Sequence, residues 1–370
     1  MPIRLSWMAA LLVVGLASGG LYAGEQAPLP DSPPPIEPPP FTPEAPATSE
    51  NVFGTIERLF QQPCGTGQPV NGCSDGALSG TGFIAYADYL YWKASPTGLD
   101  YATVVNPITL APVATASLDL PRTDGYRFGL GFRFAGTCCD LTCNYTHFQS
   151  STQQTVVANA TNELLSTRSF FSTVAMDSIE ADDTLNLNIY DIEANWRTCL
   201  NEAVGFRGFG GVRLATLDQD FNSNYTLLST VTGTVNLPTR MNAAGVRLGA
   251  EFQWRTACGF QVFGRGASSL LVADFSTGRR EANSVNGLII DTSVDSTRVV
   301  PVLEAAAGIA WTWGPMEFSG GYEISNWFNM VGVGDVSGGI GSVPVTAGSA
   351  QLTQQNLFID GWFARLMVRM

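Results

Sequence analysis

Charged side chains are scarce in this chain, at 14% of 370 residues, where ordinary soluble domains carry about 25%. Histidine is scarcer still: His147 stands alone. A single histidine, on a stretch that reads as strand, leaves no Ser/His/acid set for nucleophilic hydrolysis and no histidine-based metal site. The chain has no CxxC pair, GxSxG elbow or Walker-type loop. Residues 338–342 (GGIGS) are glycine-rich, but no lysine follows and no strand-to-helix context surrounds them. The expectation is a non-enzyme without metal or cofactor. Beyond the N-terminus no apolar run reaches the ~18–20 residues of a membrane helix. Basic residues number 19 against 32 acidic ones, a formal net charge of −13, which repels phosphate and excludes nucleic acid as a partner. What is plentiful is glycine, 39 residues, and aromatics, 11%. That balance suits a transmembrane β-barrel, and also a secreted β protein.

The N-terminus has the parts of a secretory signal. Arg4 supplies positive charge, Leu5–Ala17 an apolar stretch, and Leu21-Tyr22-Ala23 a cleavage site before Gly24. Residues 1–23 are therefore expected to be a signal peptide, an N-terminal membrane anchor being the alternative. Residues 28–46 hold ten of the 21 prolines, so 24–50 reads as an extended linker, with periplasmic or cell-wall contact as its expected role. Residues 51–80 combine a short amphipathic helix, with Phe53, Ile56, Leu59 and Phe60 on one side, and a Gly/Pro-rich loop bracketed by Cys64 and Cys73. Seven cysteines in an exported chain point to disulfides with one left over. Cys64 and Cys73 are expected to pair, metal ligation being the alternative.

From residue 81 onward the chain reads as strand and turn. Tyr126, Phe128, Leu130, Phe132 and Phe134 alternate with Arg127, Gly129, Gly131 and Arg133, so one strand face is aromatic and the other charged or bare. Ten strands are predicted, near 83–94, 122–135, 140–150, 184–197, 202–216, 240–255, 259–273, 297–313, 316–328 and 356–370. Most match or exceed the ~9–11 residues that cross a bilayer. Connections alternate between short (136–139, 198–201, 256–258, 314–315) and long (95–121, 151–183, 217–239, 274–296, 329–355). One rim of tight turns and one of long loops is the layout of an outer-membrane barrel. The expectation for 81–370 is thus all-β, a single antiparallel transmembrane β-barrel of about ten strands (8–12), with short periplasmic turns and long outer loops.

Several segments carry a resemblance: ADYLYWKASPTGLDYA (87–102), DGYRFGLGFRFAG with DLTCNYTHF (124–148), LNIYDIEANW with GFRGFGGVRLATLDQDF (187–221), GVRLGAEFQW with FGRGASSLLVADF (245–275), and VVPVLEAAAGIAW with GGYEISNWFN (299–329). In this order they resemble the Legionella-type major outer membrane protein family. The resemblance implies an exported, pore-forming barrel in the cell outer membrane. The expected partners are outer-membrane lipid and, as an open alternative, further copies of the chain in a homo-oligomer. It does not reach residues 24–80.

The non-aromatic strand faces hold Arg127, Arg133, Arg207, Arg213, Arg247, Arg255 and Arg265, with Asp88, Asp191, Glu193, Glu251, Glu304, Glu317 and Glu323. A charge facing lipid at mid-membrane costs about 2–4 kcal/mol, so these are predicted to line the lumen. They would either bound a water-filled channel or cross-pair and fill a narrow barrel. The expected function is passive diffusion of small hydrophilic solutes or ions. Cation preference would follow from the acidic residues Asp177, Glu180, Asp182, Asp183, Asp218 and Asp220 at the outer mouth. The alternative is a non-conducting structural or adhesive surface barrel acting through its loops, favoured if Arg–carboxylate pairs close the lumen. Cys139 or Cys143 is expected to reach Cys199 at the tight-turn rim in a disulfide, a bond linking subunits being the alternative.

Overall fold

The computed structural model describes residues 81–109, 111–135, 137–200, 203–256, 259–333 and 352–370. The signal peptide, the Pro-rich linker, the 51–80 helix and the Cys64/Cys73 pairing lie outside the described residues.

Ten antiparallel strands close into a barrel: β1 (Gly82–Pro96), β4 (Arg122–Arg133), β5 (Cys139–Val157), β7 (Ser178–Cys199), β8 (Val204–Leu227), β9 (Val231–Arg255), β10 (Phe260–Asn283), β11 (Gly287–Trp313), β12 (Met316–Val333) and β13 (Leu352–Arg369). The last strand pairs with the first, Ile84 opposite Arg369, and β1 also pairs with β4, which completes the ring. Every barrel backbone group can then find a partner without a free sheet edge, the condition for strands in lipid.

Strand number and tight-turn ends agree with the sequence reading. The long loops do not. β8 through β11 run 24 to 27 residues, more than twice the ~9–11 needed to cross a bilayer. Most of 217–239 and 274–296 is therefore strand, and the turn at residues 228–230 is so tight that Leu228 and Ser229 adopt positive φ. Along each long strand the phase of the apolar alternation inverts. Near the tight turns the outward residues are apolar and exposed: Tyr190, Ile192 and Trp196 on β7, Val246, Leu248, Phe252 and Trp254 on β9. Further up it is the inward residues that are apolar and buried: Ile179 and Leu185 on β7, Val235, Leu237 and Met241 on β9. The same strand face points inward throughout; the solvent outside changes from lipid to water. Outward aromatics mark the tight-turn interface as a girdle, with Trp196, Phe206 and Phe252 in successive edge contacts and Phe260, Trp311, Trp313 and Phe318 stacked.

Three further strands were not anticipated. β2 (Asp100–Val105), β3 (Pro112–Ser117) and β6 (Glu163–Ser166) form a small antiparallel sheet in the order β3-β2-β6. Its Tyr101, Ala102 and Leu164 are buried in one continuous apolar cluster with the inward residues Phe221 and Tyr225 of β8 and Phe275 of β10. The sheet caps the inner face of the extended wall.

The expected rim disulfide from Cys139 or Cys143 is corrected. Both are free thiols. The β5–β7 register sets Cys139 opposite Trp196 and Cys143 opposite Ile192, so Cys199 stands three residues along from Cys139's partner and seven from Cys143's. At ~3.3 Å per residue the nearer offset is about 10 Å, beyond the ~7 Å limit between bridged Cα atoms.

Candidate functional site

All fourteen predicted lumen residues lie on inward strand positions. The register then shows what each one meets. Asp88 on β1 stands level with Arg127 on β4 and Arg365 on β13. Arg365 donates from Nε and Nη2 to its two oxygens, both at 2.7 Å. Arg127 donates to Asp88 at 2.9 Å and to Glu323 at 3.0 Å, and Glu323 also accepts from Arg265 at 3.0 Å. A second chain of pairs crosses the barrel beside it. Arg213 grips Asp191 with both prongs of its fork, at 2.7 and 2.9 Å, and reaches Glu304 at 3.0 Å. Arg247 joins Glu304 and sits 2.8 Å from Glu193. Nearer the tight turns, Arg207 meets Glu251 at 2.7 Å and Arg369 meets Glu317 at 2.6 Å. Arg133 stands opposite Asp140 and Arg255 opposite Gln261 at the same rim.

Every cation of the chain except Lys93 is an arginine, and the planar fork explains the choice: it bridges two carboxylates at once and stacks on rings. Arg365 lies 4.2 Å over Tyr86, and Arg207 and Arg247 both lie about 5.5 Å from the Phe209 ring. Those rings need bare backbone beneath them. A β-carbon on Gly129 would stand 2.2 Å from the Tyr86 ring, and one on Gly249 2.2 Å from Phe209. The strand glycines here are seats for lumen aromatics.

The lumen is layered. Above the charged tier, inward Trp92, Phe148, Leu187, Leu217, Leu271 and Trp327 form an apolar tier, each no more than 6% exposed. The cap sheet lies above that. Within the charged tier a cavity leaves about 70 Å³ for the centres of water molecules, room for several waters. Seven arginines border it (Arg127, Arg197, Arg207, Arg213, Arg247, Arg265, Arg365), with the carboxylates Asp191, Glu193, Glu304 and Glu323.

The family comparison agrees with this geometry. The family described as Legionella pneumophila major outer membrane protein precursor matches residues 80–370. The chain belongs to this family. The barrel of this outer membrane protein therefore sits in the outer membrane, tight turns toward the periplasm and extended wall outside. No curated protein matches the chain. Among solved structures, the outer membrane protease OmpT of Escherichia coli is similar over 78% of this chain and 97% of its own, at 8% identity and a TM-score of 0.44. A Pseudomonas aeruginosa FadL homologue covers 78% and 90%, at 8% identity and 0.20. A TodX monoaromatic hydrocarbon channel mutant covers 78% and 90%, at 8% and 0.22. At these scores the likeness carries no functional argument.

Sequence reasoning missed four members of the network: Asp140, Arg197, Arg365 and Arg369. Arg365 and Arg369 alternate with Trp362, Leu366 and Val368 on the closing strand, so parity marked them as inward. Asp140 and Arg197 needed the register, which brings their side chains within 3.3 Å.

The acidic mouth also differs from expectation. Glu180, Asp182, Asp218 and Asp220 occupy outward positions on β7 and β8, where Gln153 bonds Glu180 and Asn222 bonds Asp182. Asp177 accepts from the Ser229 backbone at 2.5 Å. Only Asp183 points inward, above the bilayer level, fully buried with Gln219 donating to it at 3.0 and 3.1 Å. Burial pushes its carboxyl up to about 7; the Gln219 bonds oppose the rise and the Asp182 and Asp220 charges add to it. A carboxyl whose folded pKa lies above its ordinary value contributes stability that is full below about pH 4 and lost as pH rises through about 7. The whole shift corresponds to an upper figure of about 4 kcal/mol. The urea midpoint of the refolded barrel should fall between pH 5 and pH 8, and Asp183→Asn should flatten that slope. An unchanged slope in the variant would remove Asp183 as its source.

Proposed function

We propose that this outer membrane protein is a closed barrel: a structural, surface-presenting protein, not an enzyme and not a standing diffusion pore. The observation that carries the reading is the closed lumen, in which arginine–carboxylate pairs span the membrane level and an apolar tier with its cap lies over them. A ten-stranded barrel is close to the width that side chains fill; wide aqueous channels appear at about 16 to 18 strands. Among the described residues, six buried apolar side chains stand across the upper tier, where a sugar or ion would need a hydrated path. Liposome swelling tests it: vesicles carrying the full chain should admit arabinose no faster than empty vesicles, and swelling at a porin's rate would defeat the reading.

A second reading, a gated passage for small hydrophilic solutes, is favoured by the charged, water-sized cavity in the tier and by the void that continues it toward the periplasmic rim. Opening it would require the cap and the apolar tier to move. The cation preference expected from the mouth is not kept in this reading, since of the acidic residues there only Asp183 faces inward, and it is fully buried against Gln219.

For the rim we place the disulfide at Cys138, whose carbonyl accepts from the Arg197 backbone at 3.1 Å, two residues before Cys199. Non-reducing gels of the Cys138→Ser and Cys139→Ser variants should show the compact form lost only in the first. Loss in the second would return the bond to Cys139.

A further inference from the structure

We propose that strand β3, the free edge of the cap sheet, receives an extended polypeptide segment of net positive charge as an added strand. A partner of this kind rests on the surface-presenting part of the reading above, and a lumen found to conduct would leave it standing.

An edge strand leaves half of its backbone N–H and C=O groups without a partner in the sheet. The two edges of the cap sheet differ. At the β6 edge, Leu164 bridges Met176, whose N–H donates to the Leu164 carbonyl at 2.8 Å. At the other edge, β3 pairs with β2 alone among the described residues, Thr103 opposite Thr115 and Val104 opposite Ala114. Pro112, Val113, Ala114 and Thr115 are exposed in succession, so neither face of the strand lies under another layer.

Exposed edges are ordinarily guarded by charge, proline or a bulge. Pro112 and a register shift beside Val113 guard the start of β3. Beyond them Ala114–Ser117 (ATAS) holds neither charge nor proline. An extended peptide brings N–H and C=O groups at the spacing this edge offers.

Charge selects the partner. The segments that build the cap, 97–121 and 158–177, hold four acids, Asp100, Asp119, Glu163 and Asp177, and one cation, Arg168. Arg168 is buried and donates to the carbonyls of Gly98 and Asp100. Lys93 of β1 answers Asp119 at 2.7 Å. With both cations counted, the acids of the cap still outnumber them. On the wall beyond, the outward Glu180, Asp182, Asp218 and Asp220 face one cation on β9, Arg240, which meets Asp218 at 3.7 Å. A cationic segment is drawn to this surface and an acidic one is repelled.

The test uses random short peptides displayed on phage and selected against the full chain refolded in detergent. Peptides rich in Lys and Arg should be enriched, and the tightest is synthesised for fluorescence anisotropy. Two N-methylated copies are made, one methylated at its odd residues and one at its even residues. An added strand bonds through one edge only, so one copy should lose about tenfold or more in affinity while the other keeps it. On the protein side, Val113 is 69% exposed and can carry a charge without loss of packing. Val113→Glu should tighten binding and Val113→Lys weaken it, each by about two- to fivefold. Heat-modifiable gel mobility confirms that each variant has folded; if one has not, the exposed Thr115 takes the same two substitutions. Failure to enrich any peptide overturns the proposal, as does enrichment of acidic ones. Equal affinity of the two N-methylated copies overturns it too, since docking through side chains would not tell them apart, and so do charge variants that shift affinity the same way.

Discussion

Replacing Arg213 by Met should lower the stability of the refolded barrel by about 3–5 kcal/mol, read from urea unfolding in detergent or lipid. Arg213 is 2% exposed, holds both oxygens of Asp191 and reaches Glu304. Removing it leaves Asp191 in a low-dielectric tier with Arg247, 4.0 Å away, as its one remaining ion-pair partner among the described residues. Breaking a buried pair by deleting one partner carries that order of penalty, because the remaining charge keeps its desolvation cost. Replacing the pair is a different matter. Arg213→Met with Asp191→Leu removes both desolvation costs, and Glu304 keeps Arg247. The double variant should recover most of the loss. A double variant as unstable as the single one would mean that Arg213 acts through packing against its neighbours rather than through charge.

The second large effect concerns the cap. Glu281 on β10 is fully buried and stands above the bilayer level. It accepts from Ser169 Oγ at 2.6 Å and from the Phe170 backbone at 2.8 and 3.0 Å, and pairs with Arg279 at 3.2 Å. Arg279 in turn donates to the Arg168 carbonyl at 2.6 Å, and Arg168 Nε donates to the Asp100 carbonyl at 2.9 Å on the cap sheet. One wall residue thus fastens the 163–171 segment, and through Arg168 the cap sheet, to the inside of the barrel. Glu281→Ala removes five acceptor contacts at once, the one from the Tyr225 hydroxyl at 3.4 Å included, and strands Arg279, at a cost of about 3–5 kcal/mol for the buried charge alone. That cost exceeds what the short strand β6 can return, so the cap should release while the membrane-level barrel stays folded. Limited proteolysis reads it: cleavage within 158–177 should become rapid in Glu281→Ala and stay slow in the wild type. Equal protection in both would mean that the apolar contacts of Tyr101 and Leu164 hold the cap unaided.

The membrane-level barrel was legible because its chemistry is periodic. The alternation through Tyr126, Phe128 and Leu130 needs only the two-residue repeat of a strand, and the cost of charge in lipid then sends Arg127 inward. The extended wall was hidden by the phase inversion. Between Leu187 and Tyr190 the apolar parity switches, so outward hydrophobicity gives no reason to carry the strand far beyond that point, and a strand read from it starts at 184 where the observed strand begins at Ser178. The cap sheet left little signal: Pro112–Ser117 is short and mostly exposed on both faces, so no amphipathic pattern exists to find. Pairing within the lumen depends on register, which sequence periodicity leaves free. That is why Asp140 and Arg197 were missed and why Cys139 was matched to Cys199 across a three-residue offset. The mouth acids misled for the same reason: Asp218 and Asp220 have outward parity, visible only once β8 is known to continue through them.

The most direct test of the closed lumen is conductance. The full chain, refolded and reconstituted into planar bilayers with salt on both sides, should give a baseline without stepwise channel events at moderate voltage. Stable, repeated unit steps from the unmodified chain would show a standing aqueous path through the apolar tier and would contradict the account.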